Sequence, residues 1–306
     1  MSTQSSEARP SRRAVLGLGL GAAVAVTAST GGPAYAEGGS DAHRRLAALE
    51  REHGARLGVF AQNVSTGRTV RYRADELFPM CSVFKTLAAA AVLRDLDRDG
   101  EFLAKRIHYT ADDITRAGGK ETSDTAWQHL ADGMTVAELC QAAIDHSDNT
   151  AGNLLLRELG GPTAVTDFCR STGDRITRLD RWETELNSAE PDRVTDTTTP
   201  RAIARTYRRL TLGHALPPAK REQLTTWLRG NTTSKNRFRK GLPADWALAD
   251  KTGSGRYGTA NDVGIAWTPA GAPVVLAVLT TRPDEAAVKD EALVATTATL
   301  LASVLG

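Results

Sequence analysis

The sequence predicts an α+β fold of the α/β-sandwich type. A five-stranded antiparallel sheet drawn from both chain ends is flanked by helices, and an all-helical domain is inserted between its halves. Two observations carry this prediction. Short apolar runs bounded by turn residues stand near the two ends, and the long stretch between them repeats apolar residues at helical spacing. With 306 residues, 41% of them hydrophobic, the chain can bury a sizeable core in one large or two smaller domains.

Residues 1–36 read as an export signal and not as part of the fold. Ser11-Arg12-Arg13-Ala14-Val15-Leu16 opens a Gly/Ala/Val-rich stretch that runs to about Ala28, and Ala34-Tyr35-Ala36 has the small-x-small form of a cleavage site. The paired arginines indicate a twin-arginine signal cleaved after Ala36. The mature chain would then begin at Glu37 and be secreted or periplasmic, with no membrane attachment after cleavage. The apolar run is glycine-rich and shorter than the roughly 18 residues a spanning helix needs. Without Arg9, Arg12, Arg13 and Glu7, the 38 basic and 36 acidic residues become 35 of each. A balanced mature chain has no overall basic field with which to hold nucleic acid.

After the leader, an amphipathic helix is expected over Asp41 to His53. Leu57–Val64 and Thr69–Tyr72, joined through Ser65-Thr66-Gly67, make a hairpin. Helical patterning holds from Ser82 to about Gly230. One helix starts at Thr135, whose capping box reaches Glu138, and carries Val136, Leu139, Cys140, Ala143 and Ile144 as its apolar stripe. The next runs through Asn153–Leu159 and stops at Gly160-Gly161, and another spans Pro162 to about Gly173. Pro200–Leu212 and Pro218–Arg229 each place proline near a helix start. Strands return at Trp246–Asp250, Val263–Trp267 and Pro273–Leu279, before a terminal helix from about Asp284 to Leu305. Residues 37–81 and 230–306 would form the sheet domain and residues 82–229 the helical one, with a ligand groove between them. Cys81, Cys140 and Cys169 are too few for a disulfide framework and read as small buried residues.

Three short motifs carry chemistry. Ser82-Val83-Phe84-Lys85 puts a hydroxyl and an amine on one helical face, near a helix start whose free N–H groups favour a developing negative charge. Alone it is weak, since a Ser-x-x-Lys is expected roughly once in a chain of this length. Ser147-Asp148-Asn149 falls in a turn between helices, and Lys251-Thr252-Gly253 lies at a strand end followed by Ser254-Gly255. Each is ordinary by itself, a turn or a solvated strand end. The joint occurrence of all three in this order is not.

This set resembles the class A serine β-lactamases and their penicillin-binding relatives, which carry S-x-x-K, S-D-N and K-T-G. Glu183-Thr184-Glu185-Leu186-Asn187 matches the E-x-x-L-N element, on an Ω-shaped loop spanning 181–196, that distinguishes the class A enzymes. The resemblance extends over essentially the whole mature chain. It implies that Ser82 attacks the lactam carbonyl while its proton leaves through Lys85, through Glu183 by way of a water, or both. Backbone N–H groups of Ser82 and Ser254 would hold the oxyanion. Ser147 would relay a proton to the leaving nitrogen, Asn149 hold the side-chain amide, Lys251 act in catalysis by supplying positive potential beside Ser147 and the substrate carboxylate, and Thr252, Gly253 and Ser254 bind at the carboxylate end. Glu183 and Asn187 would position the hydrolytic water.

For the substrate carboxylate the resemblance implies Arg237, with Arg239 and Arg256 as competitors. It implies β-lactam substrates, a monomer, and neither metal nor organic cofactor. Departures from the pattern are Thr184 where proline is common and a long Ala111–Trp127 segment without an evident groove aromatic, Trp127 being read as core. Ala89 stands opposite Cys140 and Gly255 opposite Cys81, so no disulfide is expected. The alternatives are a D,D-peptidase, which would lack a deacylating glutamate, and a β-lactam sensor domain that stays acylated.

Overall fold

The structure, a computed structural model, describes residues 33–306, with side chains from Asp41 onward. The arginine pair and apolar run of the expected export signal lie outside the described residues. Helix α1 (Pro33–Glu52) takes in Ala34-Tyr35-Ala36 and so starts upstream of Asp41, where apolar spacing placed its beginning. Proline is compatible with a first helical position, where its missing N–H would have no partner.

The hairpin forms from β1 (Arg56–Asn63) and β2 (Thr69–Tyr72), with Phe60 opposite Arg71. The helical segment holds α2 (Phe84–Ala91), α3 (Val136–Asp145), α4 (Asn149–Leu159), α5 (Thr163–Ser171), α6 (Pro200–Thr211) and α7 (Pro218–Gly230). The chain then returns through β3 (Ala247–Ser254), β4 (Ala260–Trp267) and β5 (Pro273–Thr281) to α8 (Glu291–Leu305). The sheet runs β2-β1-β5-β4-β3, antiparallel at every junction, so both chain ends build it as predicted.

Apolar residues alternate between two buried faces. In β5, Val274, Leu276 and Val278 pack with α1 and α8, whereas Val275, Ala277 and Leu279 pack toward the helical segment. A strand covered on both sides reads as the near-continuous apolar run seen in the sequence. Every residue of α2 is buried, so this helix has no polar face and serves as the central core helix.

Besides the start of α1, three readings are corrected: the form of the run from Ser82, the start of α8 and the burial of Trp127. The run from Ser82 is a 3₁₀ turn at Cys81–Val83, then α2, then a wider π turn at Val92–Leu96. The Asp290 carboxylate accepts from Leu293 N at 2.9 Å and caps α8, delaying its start to Glu291. The Ala111–Trp127 segment contains a helix, Ala111–Arg116, closed by a Thr110/Asp113 capping box. Trp127 is 44% exposed, so it is not core. Among the described residues, no helix is long and apolar enough to cross a membrane.

Candidate active site

Ser82 sits on the 3₁₀ turn that feeds α2, preceded by Cys81 in the left-handed region at φ 49. One turn on, Lys85 is fully buried. Its Nζ donates to Ser82 Oγ at 3.0 Å, to Ser147 O at 2.8 Å and to Asn149 Oδ1 at 2.6 Å, which uses the three N–H bonds of an ammonium. Ser147 Oγ lies at 3.5 Å. Gly152 on α4 makes room for this side chain, because a Cβ there would stand 2.9 Å from Lys85 Cε.

The turn between α3 and α4 supplies Ser147, Asp148 and Asn149, with Ser147 at φ 58. Asp148 caps α4, accepting from Ala151 N at 2.9 Å, and its other oxygen accepts from Ala126 N at 2.9 Å. Burial pushes its carboxyl upward against these bonds. Asn149 Nδ2 donates to Ala117 O at 3.2 Å, which ties the turn to the Ala111–Trp127 segment.

Glu183 arrives from the loop between α5 and α6, a hundred residues away in sequence from Ser82. Pairing of Phe78–Pro79 with Thr197–Thr198 holds the end of that loop beside the Ser82 turn, and Met80 N donates to Asp196 O at 2.8 Å. Ser82 Oγ donates directly to Glu183 Oε1 at 3.1 Å, and Lys85 Nζ is 3.0 Å from the same oxygen. Asn187 Nδ2 donates to Glu183 Oε2 at 2.5 Å. Both side chains of the Lys85–Glu183 pair have no exposed surface, so each charge depends on the other and on these bonds.

Lys251 is also fully buried and donates to Thr252 O at 2.9 Å. Burial, and then the nearby Lys85 charge, hold its amine well below the ordinary lysine range. Thr252 Oγ1 shares a hydrogen bond with Thr233 Oγ1 at 2.5 Å. These groups open on a cleft of about 550 Å³, bordered among others by Ser82, Ser147, Asn149, Asn187, Thr252 and Ser254. On the opposite lip stand Glu121, Thr122 and Asp124, while Trp127 is not part of the wall.

Arg237 reaches the cleft, but not as a free fork. It is 2% exposed, and its Nη1 donates to Gly253 O at 2.8 Å and Asn261 O at 2.7 Å. Nε donates to Glu291 Oε1 at 3.1 Å, and Nη2 to Ser254 Oγ at 2.6 Å. Of the five guanidinium donors one N–H remains, and Ser254, which accepts from Arg237, keeps its own proton to donate. Arg239 bonds Arg229 O at 3.0 Å, and Arg256 is paired with Glu285 at the exposed rim. The three cysteines are buried and unpaired. Cys81 faces Gly255, where a Cβ would come within 2.8 Å of its Sγ.

Residues 41–304 match the family model described as the beta-lactamase enzyme family. The chain belongs to this beta-lactamase family. It is 64% identical to the beta-lactamase of Streptomyces fradiae over 300 residues, covering 97% of this chain and 98% of that one. It is 47% identical over 262 residues to the carbapenem-hydrolyzing beta-lactamase KPC of Klebsiella oxytoca, covering 85% and 88%. Among solved structures, the beta-lactamase from Streptomyces albus G superposes with a TM-score of 0.85 at 64% identity, covering 87% of this chain and all of that one.

Two residues of this beta-lactamase-family site escaped the sequence reading. Asn153 accepts from Glu183 N and donates to Glu183 O, both at 2.9 Å, clamping that residue's backbone. Its spacing of four from Asn149 places both amides on one face of α4, a usable signal beside the Leu154–Leu156 apolar run. Glu291 carries no such signal, since only the packing of α8 brings it to Arg237.

Proposed function

We propose that this enzyme is a class A serine β-lactamase, exported and acting as a monomer, that hydrolyses penicillins through an acyl-enzyme on Ser82 and so confers resistance. The observation that carries this reading is Ser82 Oγ standing 3.0 Å from Lys85 Nζ and 3.1 Å from Glu183 Oε1. A nucleophile that donates to a carboxylate suits acylation, with Lys85 able to take the proton only after passing one of its own to Glu183, and the same carboxylate fixed beside Ser82 suits deacylation.

In this mechanism Ser82 Oγ attacks the lactam carbonyl as its proton passes to Glu183 or to Lys85. The backbone N–H groups of Ser82 and Ser254 stabilise the oxyanion, each worth about 3 kcal/mol in the transition state. The C–N bond breaks as Ser147 delivers its proton to the nitrogen and regains one through Lys85 Nζ, 3.5 Å away, which passes on the proton taken from Ser82 and leaves Glu183 a carboxylate. Water, deprotonated by Glu183 and oriented by Asn187, then attacks the ester, releasing the penicilloic acid and returning the proton to Ser82. Asn149 holds the substrate's side-chain amide. Thr252, Ser254 and the remaining Arg237 N–H receive its carboxylate, in the positive potential of Lys251.

In this reading residues 37–81 and 230–306 form the sheet domain, residues 82–229 the helical domain with the Ω loop at 181–196, and residues 1–36 the twin-arginine signal. Intact-protein mass spectrometry during incubation with benzylpenicillin tests it. A transient acyl adduct that disappears as product accumulates is expected. A persistent adduct would instead identify a binding protein, and turnover with no adduct even in Glu183→Ala would remove Ser82 from the mechanism.

A further inference from the structure

Away from the cleft, one face of α6 from Arg201 to Arg209 and the turn after α5 line a second cavity of about 290 Å³ whose wall is rich in arginine. Arg201, Arg205 and Arg209 recur at a spacing of four and so share one face of α6. Arg175 joins them from the turn after α5. Only Arg201 among these is matched by a carboxylate, holding Asp75 through Nε at 2.6 Å and Nη2 at 2.7 Å. Among the described residues, Arg175, Arg205 and Arg209 form no salt bridge.

The wall holds four arginines against two carboxylates, and the second carboxylate makes no ion pair with them. Asp174 is buried, and its oxygens are taken by Ile176 N, Thr177 N, Thr177 Oγ1 and Thr206 Oγ1 at 2.6 to 3.0 Å. Unmatched guanidinium groups gathered around a concavity repel one another unless an anion lies between them, and their planar forks fit a tetrahedral oxyanion. Thr199, which caps α6 by accepting from Ala202 N at 3.1 Å, also lines the cavity. The positive end of that helix dipole therefore adds to the field. The volume is at the lower limit for small-molecule sites, which suits a compact ion.

We propose that this arginine pocket is a second binding site, specific for a phosphate group, presented as the free ion or as the head group of an anionic phospholipid. It is independent of hydrolysis at Ser82, because none of its wall residues borders the cleft.

Thermal unfolding of the full chain in inorganic phosphate and in chloride at matched ionic strength tests the site. Near saturation phosphate should raise Tm by about 3 °C over chloride. The shift should vanish in the double variant Arg205→Ser/Arg209→Ser, and shrink in Arg175→Ser, whose exposed turn position spares the fold should the double variant fail to fold. Co-sedimentation with phosphatidylglycerol vesicles against phosphatidylcholine vesicles separates the two sources. Retention of the parent but not of the variants assigns the head group, and a phosphate shift without retention assigns the free ion. Equal Tm in phosphate and chloride together with no vesicle retention overturns the proposal, as does a phosphate shift that persists undiminished in the variants.

Discussion

Asp196 receives Arg181 twice: its Oδ2 accepts from Arg181 Nε at 2.6 Å, and its Oδ1 from the Arg181 backbone N at 3.0 Å. Asp180 N shares Oδ1 at 2.7 Å, so one carboxylate, 1% exposed, closes both strands of the loop neck that presents Glu183. Arg181 also donates to Ser188 Oγ at 2.9 Å, linking the neck to the far side of the loop.

Arg181→Ser leaves Asp196 buried with its backbone donors alone and should cost about 1–3 kcal/mol. The loop loosens, so kcat/KM for benzylpenicillin falls while that for a cephalosporin with a bulky side chain falls less or rises. Comparing the two substrates in the parent and variant checks this. An unchanged ratio at unchanged Tm would mean that the pair does not govern the loop.

Glu183→Ala removes the carboxylate that accepts from Ser82, while Lys85 keeps its contacts to Ser82, Ser147 and Asn149. Deacylation should slow by about 100- to 10,000-fold, the usual contribution of a general base, and the acyl-enzyme should accumulate. Rapid-quench mass spectrometry reads this directly. Turnover near the parent rate would take Glu183 out of deacylation.

Arg237 and Ser254 should separate by what their loss disturbs. Ser254→Ala removes one hydroxyl donor to a carboxylate and the acceptor of one Arg237 N–H, so KM should rise about tenfold with about 1 kcal/mol of lost stability. Arg237→Ala also strands Gly253 O, Asn261 O and Glu291, so a similar loss in KM should come with about 3 kcal/mol of lost stability. Arg256→Ala, at the exposed rim, should change neither. A loss confined to Arg256→Ala would move the carboxylate anchor to the rim.

Beneath this region Asp250 and Asp262, on neighbouring strands, are fully buried; Asn231 Nδ2 and Phe238 N each satisfy one of their oxygens, and the Oδ1 of each is left without a donor. Burial, reinforced for Asp262 by the Asp250 charge, pushes both carboxyls upward, Asp262 far above the usual range, with Arg237 and Arg239 opposing. Lys251, next along β3, also lies close by, its amine held well below the ordinary lysine range by burial. A raised folded-state pKa contributes stability that is complete below the unfolded carboxyl's pKa and is lost as pH rises through the folded one. Asp262→Asn keeps a donor for Asp250 without needing that proton, so its Tm should fall less than the parent's between about pH 5 and about pH 9. Parallel profiles would show that no proton is held between the two.

What the sequence determined by itself was whatever depends on neighbours along the chain. The Thr135/Glu138 capping box, the Gly160 stop, the two-sided apolar run of β5 and the spacing of Ser82 and Lys85 are all local, and each is found where residue order put it. The identity of the distant motifs was legible too, because their residue types are rare in combination.

Tertiary structure alone decided which donors were already spent. Arg237 reads as a free guanidinium until the carbonyls of β3 and β4 and the start of α8 close around it. Asn153 gains its role only when the loop after α5 folds back over α4. Net charge is a sum over residues, so a balanced chain gave no hint of the arginines gathered beside α6. Position in space, set by long-range packing, decides whether a charge is paired, buried or left to meet a ligand.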